Sequence, residues 1–179
     1  MWSDNIAKKD YLGFDVHANL IKGLIDEDFV SYKKPSMFIS FPYCSFKCEK
    51  ECGVRCCQNS ELAAAPILEI EAKDIVQRYL SNPISKSLVC GGLEPFDSWN
   101  DLYELVRLFR ESTNDDIVIY TGYKEFENDD FDNHLETLAA LYPNIIIKFG
   151  RFIPDRSSVY DETLGVTLQS DNQYAVKIS

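Results

Sequence analysis

Residues 41–60 read FPYCSFKCEKECGVRCCQNS, and they continue directly from the apolar run Met37 to Phe41. That run is too short for a helix and rich in branched or aromatic residues, so it reads as a buried strand. The strand delivers the chain into a cysteine loop. Five of the six cysteines, Cys44, Cys48, Cys52, Cys56 and Cys57, lie in this stretch, and only Cys90 stands apart. In a reducing compartment such clustering favours metal binding or redox chemistry over structural disulfides. A structural zinc site takes four ligands, usually as paired CxxC knuckles, and the chain contains no CxxC. Iron–sulfur clusters accept more varied spacing. Three thiolates on a four-iron cluster leave one iron with an open position.

Outward from this loop, three further short apolar runs read as buried strands: Ser87 to Cys90, Ile117 to Tyr120 and Ile145 to Phe149. Helical periods separate them. Leu68, Ala72, Ile75, Val76 and Tyr79 fall on one face, as do Trp99, Leu102, Leu105, Val106 and Phe109, with Asp97 or Ser98 as the expected cap. A shorter pattern, Leu135, Leu138 and Leu141, stops before Pro143. Alternating strands and helices predict an α/β fold with a mainly parallel sheet buried on both faces, and four strands predict an open or partial (β/α) barrel. The ends are less regular: a helix is expected across Ala18 to Ile25, a strand near Phe29 to Tyr32, and another at Thr163 to Leu168.

This topology predicts where ligands gather, at the carboxyl ends of the parallel strands. The first strand runs into Cys44 and the second into Gly91-Gly92-Leu93-Glu94-Pro95. The third runs into Thr121-Gly122-Tyr123, and the fourth into Gly150-Arg151-Phe152. Four motif-like segments therefore converge on one rim.

With 179 residues the chain fits a single domain, read here as a core over about residues 29–175 with residues 1–28 as an N-terminal extension. The formal charge of −11 repels a phosphate backbone, so nucleic acid is not expected as a partner. No apolar run reaches the ~20 residues of a bilayer span, and no basic-then-apolar leader opens the sequence. These features predict a cytoplasmic protein away from the membrane.

The loop resembles that of the radical S-adenosylmethionine (SAM) superfamily, whose members carry CxxxCxxC after the first strand. Within it, the chain is most similar to the activating enzyme of anaerobic ribonucleoside-triphosphate reductase. Cys44 and Cys48 match the first two cluster ligands. Cys57, followed by Gln58-Asn59, best matches the third, which places eight residues between the second and third ligands in place of two. Cys52 and Cys56 stay open as alternatives for that position, and Cys56 stands where an aromatic residue packs beside SAM in the family. The GGLEP segment resembles the glycine-rich GGEP that lines the methionine moiety, with Leu93 interrupting it or replacing its second glycine. Tyr120-Thr121-Gly122-Tyr123 resembles the activases' TGY. Gly150-Arg151-Phe152-Ile153 resembles their DG(K/R)F(I/V), although Phe149 stands where the family has an acid. Ser170-Asp171-Asn172-Gln173 resembles their SSNQ.

The resemblance implies a 4Fe-4S cluster on Cys44, Cys48 and Cys57. It implies SAM contacts from Tyr43, Asn59, Gly91, Gly92, Glu94, Pro95, Thr121 and Gly122. It further implies reductive SAM cleavage to a 5'-deoxyadenosyl radical, a glycyl radical enzyme as partner, and flavodoxin or ferredoxin as electron donor. No protein acid or base is required, so His17 and His134 are expected at the surface or as caps. The acidic run Glu125, Glu127, Asp129, Asp130 and Asp132 is expected to face solvent or a basic partner. Two alternatives remain: a small-molecule radical SAM enzyme similar to 7-carboxy-7-deazaguanine synthase, and a non-enzymatic metal-binding scaffold.

Overall fold

The computed structural model of the chain describes residues 18–179 and, before them, the backbone of residues 8–9 and 15–16. In chain order the elements are β1 (Lys8–Lys9), β2 (Asp15–Val16), β3 (Ala18–Ile21), β4 (Gly23–Asp28), β5 (Ser36–Phe41), α1 (Lys47–Cys52) and α2 (Ser60–Ala64). There follow β6 (Leu68–Glu71), α3 (Ala72–Ser81), β7 (Ser87–Gly92), a 3-10 turn (Pro95–Ser98), α4 (Trp99–Ser112) and β8 (Asp116–Tyr120). The chain closes with α5 (Asp129–Leu141), β9 (Ile145–Phe149), β10 (Val159–Asp161), β11 (Val166–Leu168) and β12 (Tyr174–Lys177).

The central sheet runs β12-β9-β8-β7-β5-β4. The pairings β5–β7, β7–β8 and β8–β9 are parallel, and the edge strands β4 and β12 pair antiparallel. This is the mostly parallel α/β sheet expected from the four apolar runs. Strand alternation assigns its faces. Met37, Ile39, Leu88, Cys90, Ile117, Ile119, Ile145 and Ile147 pack against the apolar faces of α3, α4 and α5. Val89, Val118 and Ile146 point the other way, onto Tyr32, Leu164 and Leu168. The second face is thus covered by the antiparallel β10–β11 hairpin and the 29–34 segment rather than by helices.

Several local expectations change. Ala18 to Ile25 is not a helix: a bend at Lys22 divides it into β3, which pairs with β6, and the start of β4. Residues 23–28, read as part of an extension, are therefore an edge of the central sheet. The chain at Phe29 to Tyr32 is a bend, not a strand. Leu68 belongs to β6, so α3 begins only at Ala72. Ser98 takes the N-cap position of α4 without a side-chain bond, and Asp97 instead accepts from Ser45 N at 2.6 Å and Tyr123 Oη at 2.7 Å. Thr163 to Leu168 is strand only over β11, and β12 was not foreseen. His17 lies outside the described residues. His134 stacks on Trp99 with ring centroids 3.8 Å apart.

Candidate cluster and cofactor site

The cysteine loop folds by two left-handed residues. Phe46 sits at φ 51°, a conformation uncommon for a bulky side chain, and its N–H donates to Cys44 Sγ at 3.2 Å. α1 then carries Cys48 and Cys52 one turn apart. Gly53, at φ 70°, ends it with its N–H on Glu49 O at 2.9 Å and reverses the chain. Glu49 also receives the Cys57 amide on Oε1 at 3.1 Å, which anchors the returning strand of the loop. The eight residues between Cys48 and Cys57 are thus spent on a helical turn and its reversal.

Cys44, Cys48, Cys56 and Cys57 line one cavity of about 370 Å³, a volume in the range of small-molecule sites. Cys52 is outside the lining, its sulfur 2.9 Å from that of Cys56. Burial pushes the Cys44 thiol up to about 12, reinforced by Glu94, Asp97 and Cys48 and partly offset by the Phe46 amide. Cys48 is also pushed up, first by burial and then by the neighbouring Cys57. Cys56 rises to about 12 through burial and its contact with Cys52. These groups are thiols until a soft metal displaces their protons. Among the described residues no three His, Cys, Asp or Glu side chains converge on a single ion. The thiols border a common space, an arrangement that can take a multi-iron cluster.

The opposite wall is the rim predicted from the sequence. Gly92, at φ 86°, lies so close to β5 that an added Cβ would stand 2.7 Å from Ser40 Cα. Asn59 Nδ2 donates to Gly92 O at 2.6 Å and ties the loop's end to this edge. Gly92, Glu94, Asn59, Thr121 and Gly122 all line the cavity. The Glu94 carboxylate is fully engaged: it accepts from Thr121 Oγ1 at 2.8 Å, Gly122 N at 2.8 Å and Phe96 N at 3.3 Å. It fastens β7 to β8, and burial pushes it up to about 7 against those bonds.

Three expected contacts are placed elsewhere. Tyr43 is exposed outside the lining, and its carbonyl accepts the Glu94 amide at 2.8 Å. Pro95 is buried at the start of the 3-10 turn. Gly91 leaves room for the Phe38 ring, which a Cβ would meet at 2.8 Å.

The matching family model is the 4Fe-4S single cluster domain, over residues 35–171, well over half of the chain. The chain belongs to the 4Fe-4S single cluster domain family. No curated protein matches it. The family region starts one residue before β5 and ends in the turn after β11, so it contains the cysteine loop and the whole rim.

Membership fits the donor set, the thiols of Cys44, Cys48, Cys56 and Cys57 bordering one cavity beside the Gly92 edge. Further side chains also shape the site. Glu49 holds the loop closed. Arg151, with a side chain 4% exposed, pairs with Glu127 and, at 3.4 Å, with Glu51. Lys47 reaches Glu127 at 3.0 Å and lies 4.2 Å from the Tyr123 ring centroid. Lys148, near the carboxyl end of β9, also lines the cavity. The signal for Lys148 is a charge in an otherwise apolar strand run, whereas Arg151 stands in the GRF segment already read from the sequence. For Glu49 there was none.

Proposed function

We propose that the protein is a radical SAM iron–sulfur enzyme. The observation that carries this reading is the shared cavity: Cys44, Cys48 and Cys57 on one side, the close-approach backbone at Gly92 with Thr121 and Gly122 on the other. Cys44, Cys48 and Cys57 would hold a 4Fe-4S cluster, which when bound supplies the electron that cleaves SAM to methionine and a 5'-deoxyadenosyl radical. The protein's own part is to hold and exclude. Gly92 lets the end of β7 lie against the β5 backbone, Asn59 closes the loop on that edge, and Glu94 keeps the β7 and β8 ends in register. Cys52 and Cys56, engaged with each other, are not assigned to the cluster.

For the radical acceptor, the order of TGY, GRF and SDNQ supports a glycine of an anaerobic ribonucleotide reductase or similar partner. Flavodoxin or ferredoxin would supply the electron. A second reading, a small-molecule acceptor, is favoured by one specific observation: the buried Lys148 in the cavity wall.

The test is anaerobic reconstitution with iron and sulfide, then dithionite and SAM, with 5'-deoxyadenosine as readout. Product from the wild type and from Cys52→Ala, lost in Cys57→Ala, is the expected result. A cluster-loaded protein that forms no 5'-deoxyadenosine, alone or with a reductase, overturns the reading.

A further inference from the structure

The inner face of the sheet ends, at the cavity, in a row set by register. Ser40 of β5 is opposite Gly91 of β7, and Tyr120 of β8 is opposite Lys148 of β9. Lys148 is 6% exposed and lines the cavity. Its ammonium has three donors, and one is spent on Gly150 O at 2.8 Å. The Tyr120 ring centroid lies 5.8 Å away. Among the described residues no carboxylate comes within 4 Å of Lys148 Nζ. The charge that acts on it, Glu94, is already engaged by Thr121, Gly122 and Phe96.

The contrast with Arg151, three residues on, is informative. That guanidinium is equally buried but meets two carboxylates, Glu127 and Glu51. A buried cation without a counter-charge is costly, and proteins keep such groups where a ligand supplies the missing charge. Burial also lowers the Lys148 ammonium to about 8, which leaves it mostly charged at neutral pH.

We propose that Lys148 recognises an oxyanion, a carboxylate or a phosphate, carried by a small-molecule substrate. This deepens the second acceptor reading and rests on it. The anion is a substrate group rather than the carboxylate of SAM, because the thiols follow β5 and β9 stands three strands away, roughly 14 Å across the sheet.

The test is thermal unfolding of the full chain, metal-free and reconstituted, at matched ionic strength. It is run in chloride, with added inorganic phosphate, with benzoate, and with neutral benzamide as control. The ligand-free Lys148→Met protein is expected to melt higher than wild type by roughly 2–4 °C, because an uncompensated charge is gone. Gln173 Nε2, 3.2 Å from Gly150 O, still holds that turn. Phosphate or benzoate raises the wild-type and Lys148→Arg melting temperatures, benzamide does not, and neither anion shifts Lys148→Met. A shift by phosphate alone assigns a phosphoryl group, and one by benzoate alone a carboxylate. A lower melting temperature for Lys148→Met would make the lysine a structural bond to Gly150 and overturn the proposal. So would anion shifts equal in both proteins, or absent from the wild type. 5'-Deoxyadenosine formation without any anion shift would overturn this inference and leave the radical SAM reading standing.

Discussion

Gly92 and Gly53 both have left-handed backbone, but only Gly92 is crowded: a Cβ there meets Ser40 at 2.7 Å, whereas one at Gly53 meets nothing within 4 Å. Gly53→Ala should therefore cost only the backbone penalty, about 1–2 kcal/mol. Gly92→Ala should cost more than that, with the excess due to the clash with β5. Denaturant unfolding of the two variants checks the order, and equal losses would mean the β5–β7 edge yields freely. At this scale the sequence was informative about residue type and less so about role. Gly92 stood out because a GG pair after a strand needs a reason. Glu94 reads as a ligand contact from the same motif, and it lines the cavity with its carboxylate engaged by Thr121 and Gly122, twenty-seven and twenty-eight positions away. That engagement follows from strand packing, which no local pattern encodes.

Among the elements, the cysteine loop depends on its short helix. Glu49 is one turn from Gly53, whose amide its carbonyl accepts, and its side chain holds the Cys57 amide. Glu49→Ala should release the return of Cys57 and lower the iron bound per chain on reconstitution, while the cluster-free melting temperature changes by little. An unchanged iron content would show that the loop closes without this tether. The acidic run read as a solvated face or a docking patch is partly structural. Asp129, Asp130 and Asp132 sit in the first turn of α5, where they complement the helix dipole, and Asn128 caps it. Glu127 turns inward to Arg151 and Lys47.

Burial alone would raise the Glu127 carboxyl, but the bond from Arg151, with those from the Lys124 amide and Lys47, outweighs burial and lowers it to about 2. A depressed carboxyl contributes stability that is present above its unfolded value, 4.5, and lost as pH falls towards about 2. Glu127→Gln should thus be less stable than wild type at pH 7, by about 1–3 kcal/mol, with the difference vanishing across that acid window. A difference independent of pH would point to packing instead of charge. The helical expectations that failed, at Ala18 to Ile25 and at Leu68, failed together. The two stretches pair with each other as β3 and β6, and a long-range pairing overrides a weak local period.

For the whole molecule, the parallel centre was legible because strands buried on both faces must be apolar throughout. Lys148 is the exception within β9, and that exception is what places a charge at the cavity. The covering of the inner face was not legible. The β10–β11 hairpin has strands of only three residues each, and it matters only because the sheet needs a second cover. No helix of the described residues is long and apolar enough to cross a membrane.

The central claim is that one cavity places a cluster with an open iron against the Gly92 edge. The most direct measurement is the electron paramagnetic resonance spectrum of the reduced, reconstituted protein with and without SAM. The account predicts a four-iron signal whose g values shift when SAM is added, in the wild type and in Cys52→Ser. Cys57→Ser should lose the signal. A four-iron signal that SAM leaves unchanged, or one that survives in Cys57→Ser and vanishes in Cys52→Ser, would contradict it.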